Sequence, residues 1–137
     1  MTNFPATDFP ADIPPTIPAA VARASRLWHD AEALVDGDVR LTFGQLETRV
    51  RQAAGAFIAS GLQPGDRVAI WAPNSAAWVI TSLGVYAAGG VLVPINTRFK
   101  AAEAAHVLNT SGARFLCTVT DFLGTDYVSE LDRKSVV

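Results

Sequence analysis

Chemistry at neutral pH runs most often through histidine, cysteine, paired carboxylates or a glycine-rich phosphate loop, and this sequence offers few of these in a useful arrangement. The two histidines, His29 and His106, stand in no nucleophile setting, and no G-x-S-x-G occurs. His106 falls inside an expected helix, where a surface or packing role is the simpler reading. Cys117 sits mid-strand in RFLCTVT. A buried thiol there is inert, because apolar surroundings disfavour the thiolate that reacts. Asp36/Asp38 in a turn and Glu130/Asp132 near the end read as solvated charges rather than an acid–base couple. No His/Cys/Asp/Glu spacing matches a metal site. The expected catalytic, cofactor-binding and metal-binding residues of this chain are therefore none.

Phosphate binding is the harder case. After the apolar run Val68–Ala72 comes Pro73-Asn74-Ser75, without G-x-G-x-x-G or a glycine run ending in Lys-Ser/Thr. Lys100 and Lys134 lie in no glycine-rich context. An anion on the free N–H groups beginning at Asn74/Ser75 is weighed against plain helix capping, and capping is preferred. Arg98, at the end of the run 91–95, is the one charged group at a strand's carboxyl end; a ligand cleft or a structural surface position both suit it.

The elements that would position these residues alternate. Residues 68–97 hold thirty positions without one Asp, Glu, Lys or Arg. Pro73, Gly89, Gly90 and Pro94 divide them, and the longest unbroken piece, Ser75–Ala88, would be about 21 Å as a helix, short of the roughly 30 Å of a bilayer core. Strand, helix and strand, all apolar, make a buried β-α-β unit and no transmembrane segment. Thr42-Phe43-Gly44-Gln45 has capping-box spacing, and Leu46, Val50, Ala53, Ala54, Phe57 and Ile58 follow on one helical face, ended by Gly61. A helix over 101–111 ends at Gly112, and residues 114–120 form a third parallel strand. Upstream, Asp36-Gly37-Asp38 joins two short apolar runs as a β-hairpin, preceded by a helix over about 18–28. The fold class is α/β: a mainly parallel, Rossmann-like sheet with helices on both faces, preceded by a small hairpin. Residues 1–16 form a proline-rich arm, and 17–137 form a partial domain.

Composition narrows the rest. A net charge of −2, with eleven scattered basic residues, presents no nucleic-acid or anionic-lipid surface. The lone cysteine suits a reducing compartment, and the first twenty residues, with five prolines and no basic run, resemble neither a signal nor a transit peptide. A cytoplasmic protein is expected.

Four segments in register resemble the N-terminal region of acyl-CoA synthetases of the adenylate-forming, or AMP-binding, superfamily: Leu41-Thr42-Phe43 with Leu46; Gly65-Asp66-Arg67-Val68 with Pro73-Asn74-Ser75; Ala87-Ala88-Gly89 through Val93-Pro94-Ile95-Asn96; and Glu103 with the helix leading to Arg114-Phe115-Leu116. The similarity runs from about Ile17 to Leu131. FLGTDYV further resembles members acting on fatty or sterol-derived acids. Lys100 departs from the pattern, standing where the family has a better helix cap.

The resemblance implies fatty acid metabolism: a ligase that activates a carboxylic acid with Mg-ATP to an acyl-adenylate and then transfers the acyl group to coenzyme A. The family's phosphate loop, ribose-binding carboxylate, hinge and lysine all come later in its chain. ATP, Mg²⁺ and CoA are thus cofactors and substrates of the whole enzyme, none is bound by this segment, and its partner is the remainder of the ligase. Alone, the segment is expected to be inactive. A truncation is favoured by the last six residues, which show no structural terminator; one chain of a split ligase and a non-catalytic binding module are the alternatives.

Overall fold

A computed structural model describes residues 14–120 and 126–132. The proline-rich arm lies outside these residues except for 14–16, as do Lys134 and the first four residues of FLGTDYV.

Helix α1 (Ile17–Leu27) starts where Thr16 Oγ1 accepts the Ala19 amide, with Pro18 in the first turn, where a missing N–H costs nothing. The expected span over 18–28 shifts by one residue because Thr16 is the cap. Strands β1 (Glu32–Asp36) and β2 (Val39–Thr42) form the antiparallel hairpin, turning through Gly37 at φ 55°. Thr42 then caps α2 (Phe43–Ala59) with the full box: its hydroxyl accepts the Gln45 amide, and the Gln45 side chain accepts the Thr42 amide.

Strand β3 (Arg67–Trp71) is the centre of a three-stranded parallel sheet in the order β4-β3-β5, flanked by β4 (Val91–Pro94) and β5 (Phe115–Thr118). Val68, Ala69, Ile70 and Trp71 are at most 1% exposed. Burying aliphatic side chains of the Val and Ile kind contributes about 1.5–3 kcal/mol each, which is why β3 beyond its exposed first residue, Arg67, is apolar on both faces rather than alternating. Val68 packs with Ala54 of α2 and Val85 and Ala88 at the end of α3 (Ala76–Ala87). Ala69 and Trp71 face the opposite side, with Ile95, Ala104 of α4 (Ala101–Ser111) and Tyr127 of α5 (Tyr127–Asp132). The helices therefore cover both faces. Pairing on β5 stops at Thr118, short of the expected 114–120, because its partner β3 ends at Trp71.

The uncharged stretch resolves into β3, α3 and β4, and among the described residues no helix is long and apolar enough to cross a membrane.

Candidate functional site

In parallel sheets ligands bind outside the carboxyl ends of the strands. There β3 and β4 open onto a cavity of about 280 Å³, walled by Ala72, Asn74 and Trp78 on one side and Pro94–Thr97 on the other. Among the described residues, its lining offers an indole, two side-chain amides and a hydroxyl, but no charged side chain. It falls short of the roughly 300–1,000 Å³ of a complete small-molecule cleft. Such a surface can hydrogen-bond and pack against a ligand; it supplies no countercharge for a phosphate. Among the described residues, no group of three or more His, Cys, Asp or Glu is placed to hold a metal ion. The described lining does not fit ATP phosphates or Mg²⁺, and no chemical step is assigned to it.

The far wall is held in place from below. The Trp71 indole Nε1–H donates to the Asn96 carbonyl (3.1 Å), which also accepts the Phe99 amide (3.0 Å), while Asn96 Oδ1 accepts the Arg98 amide (2.9 Å). The Tyr127 ring stacks on Trp71 at 4.1 Å between centroids, and its hydroxyl donates to the Thr97 carbonyl (3.1 Å). Burial pushes the Tyr127 phenol up, so it remains a donor throughout the neutral range.

Among the described residues, the structure does not bring the other reactive side chains together. His29 is exposed in the turn after α1, 2.7 Å from Asp30 Oδ1. His106 is exposed on α4 and borders an open depression of about 360 Å³ with Phe99, Ala102, Glu103 and Val107, none of them from a strand. Cys117 is half-buried in β5 against the α2–α3 side of the core, where burial pushes its thiol up. Arg98 is exposed and absent from the cavity lining. Glu130 and Asp132 lie on α5, and their side chains fall outside the described ones.

The Ala76 and Trp78 amides at the start of α3 already have side-chain acceptors. Ser75 Oγ takes the Trp78 amide (3.2 Å), and Asp36 Oδ2, reaching across from the hairpin, takes the Ala76 amide (2.8 Å). A carboxylate at a helix start is favoured by the dipole, so Asp36 occupies the position considered for an external anion. Asp36 is thus an exposed carboxylate that also caps α3. The start of α4 is capped from within: a lysine ammonium has no lone pair, and the Glu103 carboxylate accepts the Lys100 amide (2.8 Å).

The remaining motif residues are structural. Asp66 Oδ2 accepts the Gln63 amide (2.8 Å) and pairs with Arg114 at the start of β5, while its carbonyl accepts the Val91 amide (2.8 Å). Gly65-Asp66-Arg67 therefore ties together the amino ends of all three parallel strands. Sequence reasoning singled out Asn74, though for an anion or a cap, and missed Trp78 and the Trp71–Tyr127 stack behind the carboxyl-end cavity, because an aromatic in an apolar run is first read as core.

A three-stranded parallel sheet between two helical layers, with a capped hairpin ahead of it, is shared by a known class: the chain belongs to the AMP-binding enzyme family, whose pattern matches residues 21–136. Among its relatives, the "3-[(3aS,4S,7aS)-7a-methyl-1,5-dioxo-octahydro-1H-inden-4-yl]propanoyl:CoA ligase" of Rhodococcus jostii (strain RHA1) is 47% identical over 123 residues, covering 89% of this chain and 24% of the relative. The solved Mycobacterium tuberculosis fatty acyl CoA synthetase superposes with a TM-score of 0.79 at 28% identity, over 89% of this chain and 24% of that one. The inhibitor-bound N-terminal domain of FACL13 from Mycobacterium tuberculosis gives 0.73 at 31% identity, over 75% and 26%. The chain spans about a quarter of the length of the Rhodococcus ligase.

Proposed function

We propose that residues 17–137, after an arm over 1–16, are the N-terminal part of an ATP-dependent acyl-CoA ligase and are inactive alone. The family match over residues 21–136, set against relatives roughly four times longer, carries this reading. In the whole enzyme a carboxylate oxygen attacks the α-phosphorus of ATP and pyrophosphate leaves. The thiol sulfur of coenzyme A then attacks the acyl carbon, and AMP leaves. Stabilising those charges requires preorganised donors, cations and a metal ion. The described lining of the carboxyl-end cavity holds no charged side chain, which supports a reading in which these groups come from the remainder of the ligase. This chain supplies the sheet on which that remainder is built, and one wall of its ligand side.

The acid is hydrophobic in this reading. The Rhodococcus relative is named for a fused-ring propanoyl group and the Mycobacterium structure for fatty acyl groups, which supports a sterol-derived or fatty acid. A cytoplasmic setting accords with the single free thiol.

The test joins this chain to the carboxyl-terminal remainder of the Rhodococcus ligase and measures carboxylate-dependent ATP–pyrophosphate exchange. The joined protein is expected to exchange. A folded joined protein that exchanges with no fatty or fused-ring acid contradicts the proposal.

A further inference from the structure

We propose that Trp71 and Tyr127 are a positioning pair that fixes the β4–α4 loop, residues 95–100, at the ligand-side rim, so that α5 and β3 together set one wall of the cavity. Packing alone needs only two rings at these positions, and a phenylalanine would fill the same apolar cluster. Here each ring also spends its polar atom on the loop: the indole N–H on the carbonyl of Asn96, the phenol on the carbonyl of Thr97. The two acceptors are consecutive, and both residues line the cavity. The donors come from elements 25 and 30 residues away, so the loop is held by tertiary structure and not by its own turn alone.

The anchoring is concentrated. Tyr127 is 2% exposed, whereas its neighbours Asp126 and Val128 are exposed; with the half-buried Leu131 it seats α5 on the sheet. The Asn96 carbonyl is shared with the Phe99 amide, which closes the turn that carries Arg98. A loop already ordered by such contacts does not charge its ordering to a ligand, which is the general advantage of a preorganised wall. That functional consequence rests on the ligase reading; the mechanical one does not.

The experiment is amide hydrogen exchange on the full 137-residue chain, unsubstituted and as Tyr127→Phe and Trp71→Phe. Tyr127→Phe keeps the stack and removes only the hydroxyl, so it decides the matter even if Trp71→Phe does not fold. The expected result is faster exchange of the Arg98 and Phe99 amides, by roughly three- to tenfold for one lost hydrogen bond, with β3 amides unchanged. Unchanged loop exchange, or the same acceleration in loop and β3 alike, overturns the pair as a positioning device. In the joined ligase the same Tyr127→Phe change is expected to raise a substrate KM with kcat kept. KM values all unchanged would overturn the pair's role in catalysis. A joined ligase inactive before substitution instead contradicts the proposed function, and the exchange result still decides the pair.

Discussion

Ser25 is the buried polar side chain of α1, and its hydroxyl lowers the pKa of Glu47 on α2 from the ordinary 4.5, with Arg51 one turn further on adding to the effect. A carboxyl whose folded value lies below its unfolded one contributes stability above the unfolded value and loses it as pH falls through the folded one. Urea unfolding is therefore expected to show stability declining below about pH 4.5, and Glu47→Gln to flatten that decline. Ser25→Ala is expected to cost about 1 kcal/mol at pH 7, the worth of one hydrogen bond. Cys117 behaves in the opposite sense: burial raises its pKa and keeps the thiol protonated. Its reaction with a disulfide reagent is expected to be slow in the native chain and to accelerate on unfolding; equal rates would contradict the burial. The partly buried place of Cys117 in a strand was legible from the apolar run around it. The role of Asp36 was not, because its partner, the Ala76 amide, lies 40 residues away and no local spacing signals it.

Helices α2 and α3 cross so closely that a Cβ built on Gly84 lies 2.6 Å from Ala53 Cβ and 3.3 Å from the Ala54 nitrogen, whereas one on Gly55 meets nothing. The same substitution should therefore have opposite signs at the two sites. Gly55→Ala is expected to gain up to about 1 kcal/mol from helix propensity alone. At Gly84→Ala overpacking of about 1–3 kcal/mol outweighs that gain, and thermal unfolding of the two variants checks both directions. Asp36→Ala removes one cap of α3 and should lower stability by about 1 kcal/mol. Most elements were readable because their signals are local: the Thr42–Gln45 box, Gly37, Gly61 and Gly112 at positive φ, and prolines around β3 and α3. What was not readable is which surfaces meet. Gly84 gives no sign in the sequence of its contact with Ala53, and Tyr127 gives none of its stack on Trp71, since both depend on how the helices lie on the sheet.

At the scale of the whole molecule, the uncharged stretch 68–97 is the buried centre of a sheet whose carboxyl-end cavity is lined, among the described residues, by amides, an indole and a hydroxyl, with Arg98 on the loop beside it but outside the lining. The order of elements and the family were legible in the sequence, because the motifs that carry the resemblance are the ones that bind the amino ends of the strands and cap the helices. The cavity was not, since its walls come from loops 20 residues apart that only the parallel register of β3 and β4 brings together. In the function proposed above, the charged groups of adenylate formation come from the remainder of the ligase, and the chain alone is a scaffold without the reaction. ATP–pyrophosphate exchange by the purified 137-residue chain, with fatty and fused-ring carboxylic acids in turn, measures this directly. No exchange above a protein-free control is expected with any acid. Carboxylate-dependent exchange that survives further purification would contradict it, and would place the nucleotide chemistry within these residues.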